Sequence, residues 1–490
     1  MENINKNRPP LRELHGTRLA GYSMGFFAIM LLLMLTESYS YNFYVYTIRL
    51  DPLLVSIGST INMLSTGFSS IIFGVILDNT KPKKIGKRRP YILIGLPIWL
   101  VSAILVYFPP WLPPGAELIY PNTVIYWPTA IWYWGLNFLK AVFGSLLMIT
   151  FSSILPEISQ TLQNRKKTAM VATNLRILSS IISVSFPNII QSLLEDTTNK
   201  GYWTPSGKFI MKIMPSISII FGIIAAILIL IAFFSIDESF HLTENKFEKR
   251  TLRATFKNII KPTKDKEYIK FMTAGVCAQA SQYVLVFTII PFIAYVLGRN
   301  LPKGEISFLY ILYIVISISL KFVWLFIWRF ILKRKGNLLK TYKLNVTIIA
   351  IAAFSELFFF IEMHIFLRII LFILSFGTVL GSMYSTNLFN SPLLNEMIDR
   401  AAENHLINNE NKSEDKNQVV TRISGSYYGL FSLSFSILAA ISSTIFGFIF
   451  QGGNSENPII LTLGLMSMGI FHVVALVSLK RLKVKFRDSA

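Results

Sequence analysis

Gly74-Val75-Ile76-Leu77-Asp78-Asn79-Thr80 and, six residues on, Gly86-Lys87-Arg88-Arg89-Pro90 decide the fold of this chain. The stretch joins two long apolar segments. One acid is followed by six bases between residues 81 and 89, in a turn too short to be a domain. A turn this basic between two membrane spans belongs on the cytoplasmic side, because Lys and Arg in short loops set the orientation of their neighbours. Asp78, at the end of one helix, is placed to pair with Arg88 or Arg89 across the turn and brace two helices that move together.

The surrounding chain supports the membrane reading. Of 490 residues, 53% are hydrophobic and 15% charged, against about 25% charged in an average soluble domain. Mean hydropathy is +0.53. Runs such as 213–236 and 424–451 carry no charge, and each is long enough to cross a hydrocarbon core of roughly 30 Å. The net charge of +21 sits mainly in short loops beside apolar segments, where it meets anionic lipid headgroups, so nucleic acid is not an expected partner. Cys277 is the only cysteine, which excludes an intrachain disulfide. No phosphate-binding Gly-Lys-Ser/Thr loop and no metal-spaced Cys/His set is present, and the five histidines are scattered. The composition therefore points away from an enzyme, and no cofactor or metal site is expected.

Apolar windows predict an all-α membrane protein with twelve transmembrane helices, near 20–47, 53–78, 90–108, 128–155, 169–194, 212–235, 268–297, 306–332, 342–361, 363–390, 425–450 and 457–479. They fall into a six-helix bundle at 20–236, a charged linker at 237–267 and a second bundle at 268–479. A polar insert at 402–421 reads as flexible. The ends, 1–19 and 480–490, are expected in the cytoplasm, and the protein in the cell (plasma) membrane as a monomer. The segment from Arg329 to Lys343 occupies in the second half the place of Asp78 to Pro90 in the first, keeping the bases and Gly336 but no acid. Such paired halves are a common transporter layout, with a substrate site near mid-membrane between them.

Gly74…Asp78…Gly86-Lys87-Arg88-Arg89-Pro90-Tyr91 resembles the loop between helices two and three of the major facilitator superfamily. Its length and closing Arg-Pro-Tyr are similar to the glycoside-pentoside-hexuronide:cation symporter branch. Tyr39-Ser40-Tyr41-Asn42-Phe43-Tyr44-Val45-Tyr46 resembles the aromatic first helix of melibiose permease in that branch. Leu155-Pro156-Glu157-Ile158-Ser159 with Arg165 resembles the turn after its fourth helix. Leu394-Asn395-Glu396-Met397-Ile398-Asp399 with Arg422 and Gly425-Ser426-Tyr427-Tyr428-Gly429-Leu430 resembles the turn before its eleventh. The resemblance implies uptake of a sugar or glycoside by alternating access, driven by a cation gradient. It also implies carboxylates on helices two and four in sodium-coupled members. Here those positions fall on Thr66, Ser70 and Met148, so protons are favoured over sodium as the coupling cation.

Ionisable groups inside a membrane are costly and mark function by default. Glu37, Lys140 and Lys321 sit at comparable depth. Glu37 shares a helical face with Tyr41 and Tyr44, and Lys140 with Asn137. Gln279, Gln282 and Tyr283 are expected to complete the lining. Glu37 can act as a proton-responsive carboxylate. The alternative is a permanent pair with Lys140 that only ties two helices, and either lysine can snorkel to the interface. With both lysines in the cavity an anionic solute such as a uronide is favoured. Asp78, Arg88, Arg89, Glu157 and Arg176 are expected to form a cytoplasmic gate. Glu356, Glu362 and Arg368 read as interfacial pairs. Two alternatives to a sugar symporter stay open: a carrier of an amphiphile such as a lysolipid, and a non-transporting membrane sensor on the same scaffold.

Overall fold

The computed structural model describes residues 13–81, 85–159, 161–238, 251–408 and 416–483. Among these, eleven helices are long and apolar enough to cross a membrane, and a shorter apolar helix, α3 (Arg89–Leu105), completes the first half. That half comprises α1 (Gly16–Asn42), α2 (Pro52–Asn79), α3, α4 (Trp127–Ile158), α5 (Leu162–Ser192) and α6 (Pro205–Ser235). The second contains α8 (Lys266–Phe292), α9 (Lys303–Lys335), α10 (Leu338–Phe354), α11 (Ile365–Ser385) with its continuation α12 (Asn387–Asn408), α13 (Lys416–Ile449) and α14 (Pro458–Lys480).

Local chemistry sets the helix ends. Side chains of Asp51, Thr204, Asp265 and Asn457 accept hydrogen bonds from first-turn amides at 2.9–3.1 Å, satisfying donors that have no partner within the helix. The helix expected at 90–108 stops at Leu105, just before Pro109-Pro110, where proline cannot supply a backbone donor. α10 stops at Phe354 and tightens into a 3-10 turn, Ser355–Phe360.

Within the first half α1 packs on α5 and α6, and α2 on α4. Within the second, α8 packs on α14, and α9 on α11. The halves meet through α2 on α13 and α5 on α9. In each direction the second helix of one half meets the fifth of the other, as a pseudo-two-fold relation requires.

The polar connections hold more structure than their composition suggests. Inside the linker, α7 (Leu252–Ile260) contributes Ile259 to a buried apolar cluster that also holds Ile71 of α2 and Leu430 of α13. The segment expected as a flexible insert at 402–421 is helical through Asn408 and again from Lys416, and residues 409–415 lie outside the described set.

Candidate functional site

Four helices enclose a small cavity between the halves. α1 supplies Glu37, Ser40 and Tyr41; α2 supplies Ser59, Asn62 and Met63; α4 supplies Tyr133, Asn137 and Lys140; α8 supplies Tyr283, Val286 and Phe287. Its free volume is about 20 Å³, room for about one water molecule. The site therefore leaves little free space between its own side chains in this conformation.

Its polar groups are tied into the surrounding helices. Ser40 Oγ and Tyr133 Oη are 3.2 Å apart, and Asn137 Nδ2 donates to Tyr133 O at 2.9 Å. The Tyr41 ring meets Phe287 edge-on at 4.5 Å, joining the halves. Asn62 and Lys140 line the same cavity as the Glu37 carboxylate. Lys140 has no exposed surface, and its Nζ has no hydrogen-bond partner among the described residues. Glu37 and Lys140 thus face one cavity without closing into the permanent pair that the sequence left open.

Of the expected substrate residues, Glu37, Tyr41, Asn137, Lys140 and Tyr283 meet here. Tyr44 is buried one layer away, its ring tilted against that of Tyr133 at 4.2 Å, with its hydroxyl donating to Val106 O at 2.8 Å. Gln279 is half-buried and Gln282 exposed, and neither lines the cavity. Lys321 lies elsewhere, with Nζ 5.8 Å from the Tyr384 ring. The cavity holds one acid and one base, so the charge excess that favoured an anionic solute is not assembled in it. Ser59 and Asn62 were missed. Their signal was available, since Ser56, Ser59, Asn62, Thr66 and Ser70 recur every three or four residues along one face of α2.

The expected gate divides in two. Side chains of Asp78 and Glu157 lie outside the described set. Glu238, read only as part of the linker, accepts through Oε2 from the amides of Arg88 (2.9 Å) and Arg89 (3.0 Å). This carboxylate sits at the start of α3, where amides and the helix dipole favour an anion. The Arg88 guanidinium donates to Ser153 O, and that of Arg89 stacks on Phe233 at 4.2 Å. Arg176 is apart from them: it lies over Phe26 at 3.9 Å, with Nη2 4.0 Å from Met148 Sδ.

The interfacial pairs are also redistributed. Arg299 and Glu362 are 3.7 Å apart and exposed. Arg368 donates to the carbonyls of Leu297 (3.1 Å) and Arg299 (2.7 Å). Glu356 is fully buried, with neither carboxylate oxygen hydrogen-bonded among the described residues.

Two six-helix halves, joined second helix to fifth around a charged cavity, make this a membrane transporter rather than an enzyme. The chain belongs to the family described as MFS/sugar transport protein, which matches residues 21–452. Among solved structures, it is similar to the inward-open xylose transporter XylE from E. coli, with 12% identity, a TM-score of 0.61 and 96% of each chain covered. A D-xylose-proton symporter gives 11% identity and a TM-score of 0.62, over 96% of this chain and 98% of that one. The nucleoside transporter NupG gives 13% identity and a TM-score of 0.59, over 96% of this chain and 100% of that one. These likenesses establish the major facilitator fold. No curated protein matches at the level of sequence.

Proposed function

We propose that the chain is a secondary active transporter that moves a sugar, glycoside or similar polar solute by alternating access, coupled to protons through Glu37. The supporting observation is the narrow cavity that Glu37 and Lys140 both line, with the Lys140 ammonium unpartnered among the described residues and hydroxyls and amides around it suited to a neutral polyol. Gaining or losing a proton at Glu37 changes the net charge of the site, and with it the balance between conformations open to either side. The carriers of xylose and nucleoside with the same fold favour a solute of this size.

Sodium is disfavoured by the surroundings of the positions singled out in the sequence. Thr66 and Ser70 give their hydroxyl hydrogens to backbone carbonyls at 2.8 Å, and the Arg176 guanidinium stands beside Met148. A resident cation there repels a second one. On this reading the basic face is cytoplasmic, the membrane is the plasma membrane, and the gate at that face is built on Glu238, Arg88 and Arg89.

Counterflow and uphill uptake in proteoliposomes, with labelled sugars, glycosides, uronides and nucleosides, test the reading. Glu37→Gln is expected to keep counterflow, which needs no net proton movement, and to lose accumulation against a gradient. Uphill accumulation by Glu37→Gln would sink the proton role.

A further inference from the structure

The face opposite the basic loops carries a second charge cluster, none of whose members lines the cavity. Arg49 has no exposed surface and adopts φ +62°. Its Nη1 donates to Glu456 Oε1 of the second half at 2.5 Å. Its Nε and Nη2 have no hydrogen-bond partner among the described residues, and the guanidinium carbon lies 4.6 Å from the centre of the Tyr120 ring. Lys200 is buried beside it, donating to Gln191 Oε1 at 2.8 Å, with Nζ 5.7 Å from the Tyr46 ring. The Tyr46 hydroxyl donates to Ser455 O, one residue before Glu456, at 2.8 Å.

The two halves hold this cluster unequally. Arg49 is fixed by backbone bonds within the first half: Val124 N to Arg49 O at 2.8 Å, Asp51 N to Val124 O at 2.9 Å and Tyr202 N to Thr47 O at 2.9 Å. Glu456 stands on a three-residue 3-10 turn, Asn454–Glu456, between α13 and α14. Further bonds between the halves continue toward the cavity. Gln451 Nε2 donates to Asp51 Oδ1 at 3.2 Å, Ser443 Oγ to Ser56 O at 3.1 Å, and Thr60 and Thr444 hydroxyls meet at 2.8 Å. On another flank, the Tyr295 hydroxyl donates to Thr198 O at 2.7 Å. Opening a path from this face to Glu37 must part these contacts.

We propose that Arg49 and Glu456 form a charge lock that holds this face shut while the transporter is closed to that side. In the closed form the Arg49 charge is stripped of water and that of Glu456 mostly so, and each depends on its partner, so removing one partner strands the other. In the open form both are hydrated, and the lock contributes nothing. A pair of this kind biases one conformation and leaves the solute site untouched, which a two-state carrier needs if closure is to be strong and reversible.

Spin labels at Leu118→Cys and Ile361→Cys, exposed positions on this face in opposite halves, report closure in the purified full-length protein with Cys277→Ser. Arg49→Gln, which keeps a polar group but removes the charge, is expected to raise the ratio of long to short label distances at least about tenfold, or 1.4 kcal/mol. Glu456→Gln should do the same and stands in if Arg49→Gln does not fold. Arg49→Lys, which keeps the charge, should stay near the native ratio. Native ratios in both glutamine variants, or a shift in Arg49→Lys as large as in Arg49→Gln, would overturn the lock.

Discussion

The first helix of each half ends in a π turn, Phe43–Thr47 after α1 and Ile293–Leu297 after α8. Each turn is followed by a non-glycine residue at positive φ, Arg49 at 62° and Asn300 at 67°. π turns are rare and concentrate where a helix is re-aimed for function. Asn300 is exposed at the rim of an open groove of about 570 Å³, and asparagine tolerates this conformation. Arg49 does not tolerate it easily, is wholly buried and reaches across to the other half. The backbone device is repeated, whereas its use is not. The half with strain and buried charge carries the lock.

Removing the Arg49 charge should have the largest effect. With Glu456 left mostly buried and without its partner, Arg49→Gln is expected to cost about 3 kcal/mol in thermal unfolding. The double variant Arg49→Gln, Glu456→Gln should cost less than the sum of its parts, because the stranded charge goes too. Equal and additive costs would reduce the pair to ordinary packing.

Lys200 sharpens the same comparison through pH. Burial pushes its ammonium down to about 7, against the opposing pull of Glu456 and Asp196 and with repulsion from Arg49; Tyr46 is its aromatic neighbour. Once exposed in the open form it returns to the ordinary lysine range and binds a proton more tightly. Closure should therefore strengthen as pH rises from about 7 toward 10 and be level below 7. The ratio of long to short label distances should fall over this pH range, and Lys200→Gln should flatten the change.

The loops of the two halves give the next contrast. Gly86 has φ +120°, and a Cβ there falls 2.3 Å from Glu238 Oε2, inside the acid that holds Arg88 and Arg89. Gly336, its counterpart, has φ +63° and nothing within 4 Å of a Cβ. Gly86→Ala should lower unfolding stability by about 2 kcal/mol, and Gly336→Ala by about 1 kcal/mol from backbone strain alone. Equal costs would remove the special role of Glu238. Smallest of all, Asn300→Gly should change stability by less than about 0.5 kcal/mol, since the residue is exposed in a conformation that glycine adopts freely.

Membrane spans and paired halves were legible because they follow from local composition, and Glu37, Lys140, Asn137 and Tyr41 were legible because charge and helical spacing mark them. Glu238 was not, because an acid beside a charged linker looks solvated until α3 is placed over it. Lys321 misled for the converse reason: depth along a helix is readable, but the direction a helix faces depends on its neighbours. Arg49 and Glu456 sit 407 residues apart in ordinary-looking loops, and nothing local singles them out.

The sequence by itself therefore determined how many apolar helices form and which charges lie at depth, since these depend on hydropathy and charge placement within a few residues. Only the tertiary structure decided that Glu37 and Lys140 share a cavity, that Glu238 anchors the basic turn, and that Arg49 meets Glu456. Such meetings depend on how each helix is rotated and packed, and packing is set by all the helices together.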